Sequence, residues 1–598
     1  MITSKRMSQD QKKSKNKIDF VLLKRVLRLA KPYQTIFLFS GILVVVLAPI
    51  GVLKPYLIQQ TVDKHILGLD IDGLVYMMMV LISVLIVEAI LKYIFIYITN
   101  LLGQSVIKDL RIRVFNQISS LQLQYFDKTP IGTSTTRTIN DIETINSVFS
   151  QGVITIIADV LSMIVVFAIM MSTSWRLTLV SLVTFPLLLI STYIFKERVK
   201  VAFQKVRTQI SKMNAFLQER ITGMRMVQIF GAEDRELKRF KKINKTYTQA
   251  NLDAILYYAI FFPVIEIISA AALGLMVWYG ARGAISGEVT LGLLIAFPLY
   301  LNMLFRPMRQ LADKFNTLQM GLIAAQRVFD VLDRTDKIKN IGTVQPEKLD
   351  GHIEFKNVKF AYIEEDWVLK NISFELPKGE TLAIVGSTGS GKSTIINILN
   401  RFYEIQEGEI LIDNTNIRDF ELNAMRHRIA MVLQDVFLFS GSVLDNITLR
   451  DESISRERVI EAAKMIGAHE FIQKLPKSYD YEVMERGATL SMGQRQLISF
   501  VRALVFDPDI LILDEATSSI DPETESVIQF AIEKLIAKRT SIIIAHRLST
   551  IRHANQIMVL QKGEIQEIGS HESLLKIEDG HYRELYEMQF TQRETVEK

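Results

Sequence analysis

No cysteine occurs in the 598 residues, which excludes disulfides, thiolate zinc sites and thiol nucleophiles together. A surplus of one charge is also lacking: 70 Lys+Arg stand against 64 Asp+Glu. The remaining excess falls on loops and not in one block, which argues against a nucleic-acid-binding chain. The polar, basic first twenty residues contain no apolar segment of the kind a signal peptide needs, so they are read as a cytoplasmic tail. What the chain has in quantity is apolar side chains, 49% of the total. That is too apolar for a wholly soluble chain and too long for one ordinary domain, so a membrane part is implied.

Apolar runs long enough to cross a hydrocarbon core, which takes roughly 20 helical residues, fall near 33–57, 74–102, 153–171, 175–195, 257–279 and 291–311. Before the first of them, FVLLKRVLRLAK sets Val21, Leu22, Val26 and Leu29 against Lys24, Arg25, Arg28 and Lys31, the pattern of a helix lying in the interface. The segment 196–245 carries 14 Lys and Arg and is amphipathic, whereas the connections near Lys64, Arg176 and Arg282 are nearly free of them. Positive loops stay inside, so both termini are expected in the cytoplasm. The connections between spans two and three and between four and five keep helical periodicity, so the helices are expected to run on beyond the bilayer. Their bends are expected in YFDKTPIG, at Pro130 and Gly132, and near 230–234.

Glu88, Lys92, Asp159 and Glu266 are read as the charges inside the apolar runs, and such charges face a partner or a cavity. Glu88 and Lys92 are four residues apart and can pair along one helix. Asp159 and Glu266 have no partner nearby in sequence; Glu266, three residues after Pro263, is the stronger candidate to line a substrate path.

After Leu332 no apolar run is long enough to span. The expected organisation is a tail (1–19), an all-α six-helix transmembrane domain (20–332), a linker (333–350), an α/β P-loop domain (351–590) and a C-terminal tail (591–598). In the soluble part, 381-TLAIVG reads as a buried strand running into 386-GSTGSGKST-394 and then a helix, the context a phosphate-binding loop requires. Gly386, Gly389 and Gly391 let backbone N–H groups curl round phosphates, Lys392 reaches the β and γ oxygens, and the Ser393 hydroxyl is placed for Mg²⁺. Ser387, Thr388, Ser390 and Thr394 complete the loop. A second apolar strand, DILILDEATSS, ends in Asp514, expected to hold the metal through water, and Glu515, expected to orient the attacking water. A third, SIIIAHR, delivers His546 to the same sheet edge.

With these motifs in place, residues 20–590 resemble a subunit of an ATP-binding cassette exporter of the multidrug and lipid exporter type. The resemblance implies that Tyr362 in VKFAY stacks on adenine and that Gln434 in VLQDVFLF touches Mg²⁺ and senses the membrane domain. It implies further that 483-VMERG-487 meets the cytoplasmic helix tips and that Asp521 couples two nucleotide sites. The run 490-LSMGQ-494 corresponds to the family signature, whose Ser491, Gly493 and Gln494 would contact the γ-phosphate held by a second subunit. ATP and Mg²⁺ are thereby the expected cofactors, and a dimer the expected working unit.

Where the signature has a first glycine, this chain has Met492. A long side chain there should crowd the phosphate unless it turns outward, so the expectation is a heterodimer with one active and one weak site, a homodimer being the alternative. The function implied is ATP-driven export of amphipathic small molecules, drugs or lipids, from a multi-pass protein of the cell membrane. Alternatives are export of untrimmed peptides, or an ATP-gated channel or regulator that does not pump. Cargo trimming is not expected, since no cysteine nucleophile exists and only about twenty residues precede the interfacial helix.

Overall fold

The structure, a computed structural model, describes residues 19–338, 340–514, 522–537, 539–544 and 551–587. It divides into two compact units: one takes in the chain to Ser119 and Pro130–Arg334, the other Ser120–Thr129 and the chain from Thr335 onward.

The first unit is helical. The helix Phe20–Arg28 is capped by Asp19, whose carboxylate accepts from the N–H groups of Val21 and Leu22, and it buries Val26 while its basic face stays exposed. Among the described residues six helices are long and apolar enough to cross a membrane: Lys31–Ile66, Ile71–Ser119, Ile131–Thr173, Trp175–Thr222, Glu233–Ile285 and Leu291–Leu332. Each is longer than the roughly 20 residues a single crossing needs.

At the first bend a short helix, Leu123–Lys128, is set off at both ends. Pro130 caps the next helix, Ile131–Thr136, but Gly132 lies inside that helix. The expected break at Gly132 is therefore corrected: the chain turns at 120–122 and 129–130, where proline fixes the geometry and glycine's freedom is not used. The second bend spreads over Gly223, the helix Met224–Ile229 and Gly231, whose φ of +52° suits glycine.

Among the described residues the second unit is built on two large sheets and a two-stranded one, Gly441–Ser442 with Glu482–Val483. Its strands in chain order are β1 (Ile353–Ala361), β2 (Trp367–Leu376), β3 (Thr381–Val385), β4 (Glu407–Ile412), β5 (Thr415–Asn416), β6 (Ile429–Val432), β7 (Gly441–Ser442), β8 (Glu482–Val483), β9 (Ile510–Asp514), β10 (Thr540–Ile544), β11 (Gln556–Gln561) and β12 (Glu564–Gly569). The main sheet runs β12-β11-β3-β10-β9-β6, parallel except for the edge pair β11–β12, beside an antiparallel sheet β2-β1-β4-β5. Strands covered on both faces need unbroken apolar runs, and TLAIV and TSIII have every residue buried. One apolar core lies between the two sheets, and a second joins the main sheet to the helices that include Val443–Thr448, Arg456–Met465 and Met492–Val505.

Candidate functional site

β3 is held between β10 and β11 in parallel register, and the chain leaves its carboxyl end through Gly386 into the loop that closes at the helix Lys392–Leu399. Gly386, Gly389 and Gly391 have φ of +152°, +82° and +108°, a region that side chains with a Cβ rarely enter. A Cβ on Gly386 would stand 2.1 Å from the Leu560 carbonyl oxygen, and one on Gly391 2.7 Å from the Leu369 side chain. At Gly389 it would meet nothing within 4 Å. Two glycines thus seat the loop on β11 and β2, and the third leaves bare backbone on the open side.

Lys392 is 8% exposed, and its ammonium donates to the carbonyl oxygens of Gly386 at 2.8 Å and Ser387 at 3.0 Å. Burial pushes its pKa down, and the charge of Asp514 works the other way. The Ser390 hydroxyl is buried with no hydrogen-bond partner among the described residues. A dehydrated ammonium, an orphaned hydroxyl and a bare glycine in one loop fit a polyphosphate, whose oxygens would satisfy all three.

Ser393 is exposed at the start of the helix, and Asp514 closes β9 half-buried, opposite Ile544 of β10. Among the described residues no group of three His, Asp or Glu gathers for a metal. A Mg²⁺ ion here would rest on one hydroxyl, one carboxylate and phosphate oxygens, the arrangement this ion prefers over an all-protein cage. Glu515, Asp521 and His546 lie outside the described residues.

Tyr362, at the end of β1, is half-buried. Its hydroxyl lies 3.2 Å from that of Thr394, and its ring meets Phe360 and Tyr403 edge-on at 4.8 and 5.0 Å. At the signature, Ser491 caps the helix Met492–Val505 in a reciprocal box: the Gln494 N–H donates to Ser491 Oγ at 3.2 Å, and the Ser491 N–H to Gln494 Oε1 at 3.0 Å. Such a cap is worth about 1 kcal/mol, and it holds the positive end of the helix in place with Gly493 buried in its first turn.

Met492 is half-buried and lines a groove of about 340 Å³ together with Gln434, Asp435, Val436, Phe437, Arg486 and Arg495. Met492 therefore shares this groove with the exposed Gln434 segment. Arg495 donates to the Arg486 carbonyl oxygen at 3.2 Å, and Arg486 has a φ of +57°.

Two sets of contacts escape the sequence. In the second unit Gln124 donates to the Tyr362 carbonyl oxygen at 3.2 Å, and the Tyr403 hydroxyl donates to Asp127. Burial, then the Asp127 contact, pushes the Tyr403 phenol up. The helix Leu123–Lys128 is thus fastened beside the strand end that carries Tyr362. In the first unit Glu88 pairs with Lys92 at 2.5 Å as the spacing suggests, and also with Lys54 at 2.8 Å. Lys54, a charge inside the first apolar run, is a sequence signal that a charge there needs a partner, but not which residue supplies it. Asp159 pairs with Lys314 of the sixth span. Glu266 is exposed, with no ion-pair partner among the described residues.

A family model for the ABC transporter transmembrane region matches residues 37–308, and one for the ABC transporter matches 369–518. An uncharacterized ABC transporter ATP-binding protein of Bacillus subtilis is 38% identical over 570 residues, 95% of this chain and 94% of the relative. A probable multidrug resistance ABC transporter ATP-binding/permease protein of the same organism is 37% identical over 534 residues, 88% of this chain and 78% of the relative. An ATP-dependent lipid A-core flippase of Syntrophus aciditrophicus is 34% identical over 578 residues, 96% of each chain.

Proposed function

The chain belongs to the ABC transporters, and from that premise we propose that it is one half of a dimeric exporter that uses ATP hydrolysis to move amphipathic small molecules, drugs or lipids, across the cell membrane. The observation that carries the reading is one chain holding, among its described residues, six helices long and apolar enough to span and a phosphate loop with a buried lysine and a serine hydroxyl without a hydrogen-bond partner. Two relatives, named for multidrug resistance and for lipid A-core flipping, support an amphipathic cargo.

In this reading Gly386 to Thr394 hold the phosphates, Tyr362 the adenine, and Ser393, Gln434 and Asp514 the Mg²⁺, which when bound neutralises phosphate charge. Glu515 and His546 act on the attacking water and the γ-phosphate. Ser491, Gly493 and Gln494, with Asp521, complete the site of a second subunit. ATP then joins two ATPase domains, and its hydrolysis releases them.

For the partner we propose a different half-transporter, because Met492 adds bulk where the signature has bare backbone. A copy of this chain is the second reading, favoured by Met492 sharing a groove with Gln434 that could take its side chain. Purifying the chain alone and measuring its ATPase separates the two. Little turnover until a second polypeptide is added supports the heterodimer; robust turnover without one defeats it.

A further inference from the structure

We propose that Lys54, Glu88 and Lys92 form a binding site, within the membrane spans, for the anionic head group of an amphiphile. Glu88 is 4% exposed, and its carboxylate is shared: Lys92 Nζ lies 2.5 Å from Oε1 and Lys54 Nζ 2.8 Å from Oε2. The Lys54 contact is an ion contact off the line of a hydrogen bond. Two ammonium groups against one carboxylate leave a formal charge of +1, inside apolar runs where charge is costly.

A single pair would have answered Glu88. Lys92, one helical turn away, already does so, and Lys54 comes from a different span. Each ammonium carries three N–H donors, and one carboxylate cannot take them all. The side chains of Lys54 and Lys92 are 31% and 58% exposed, so these donors are reachable from outside the protein core. Apolar surface lies alongside: a Cβ on Gly51 would meet the Met303 methyl at 3.7 Å and the Glu88 carboxylate at 4.0 Å. Cation donors beside apolar walls suit a phosphate, carboxylate or sulfate that carries an alkyl chain.

The site rests on the exporter reading for its biological meaning, but its test does not. Binding of dodecyl phosphate, dodecyl maltoside and dodecyltrimethylammonium is measured without ATP on the full chain in phosphatidylcholine nanodiscs. Dodecyl phosphate is expected to bind at least about tenfold more tightly than the other two. Lys54→Met and Lys92→Met each leave Glu88 one partner, so both are expected to fold, and each is expected to remove that preference. Lys92→Arg is expected to keep it.

Repeating the assay in discs containing phosphatidylglycerol separates the sources: competition by the lipid assigns the site to a membrane head group, and its absence to a free amphiphile. Equal affinity for the three head groups, or a preference untouched by both methionine variants, would overturn the site. A chain that binds dodecyl phosphate but never turns over ATP would count against the exporter reading alone.

Discussion

The Lys392 ammonium is held by two carbonyls of its own loop, and phosphate oxygens are stronger partners for it than neutral carbonyls. Lys392→Ala is expected to weaken ATP binding about 10- to 100-fold, the loss of a charge-assisted contact of roughly 1.5–3 kcal/mol, read by titration with a fluorescent ATP analogue. Glu515→Gln should behave differently, since the amide keeps the shape but cannot accept a proton. Turnover is expected to fall by about 10²–10⁴ with ATP affinity unchanged; near-normal hydrolysis would remove Glu515 from its role. The phosphate loop is legible in the sequence because glycine spacing, strand and helix coincide within a few residues. Lys54 and Lys314 are not legible as partners of Glu88 and Asp159, because those pairings join residues far apart in the chain and depend on how the spans pack.

At the scale of elements, the pair Asp159–Lys314 ties the third span to the sixth, with both side chains about one-fifth exposed. Breaking such a pair leaves one charge uncompensated, whereas removing both leaves none. Lys314→Met alone is therefore expected to lower the thermal midpoint in detergent, at a cost of about 2 kcal/mol. Adding Asp159→Asn should recover much of it. A double variant less stable than either single one would show that the pair does not act as a unit. The spans themselves are legible as apolar runs, but the bend at 120–130 only half so: Pro130 marks it, while Gly132 falls inside the next helix. What fastens that bend is a contact far along the chain, Tyr403 with Asp127, for which local sequence carries no sign.

For the whole molecule, the segment Ser120–Thr129 belongs with the ATPase unit although it lies between two membrane helices in the chain. In the exporter proposed above, this segment is the covalent link through which motion of the ATPase unit would reach the second and third spans. Tyr403→Phe removes the hydroxyl that holds Asp127 and is expected to reduce transport several-fold more than ATP turnover, measured side by side in one preparation. Equal losses would place Tyr403 in the ATPase core alone. Whether hydrolysis drives cargo across the bilayer is decided in inside-out proteoliposomes. With the chain and any subunit it requires, ATP is expected to drive uptake of a fluorescent amphiphile against its gradient, and Glu515→Gln to abolish it. ATP-dependent flux that only runs down the gradient, and persists in Glu515→Gln, would contradict the account and identify a gated channel.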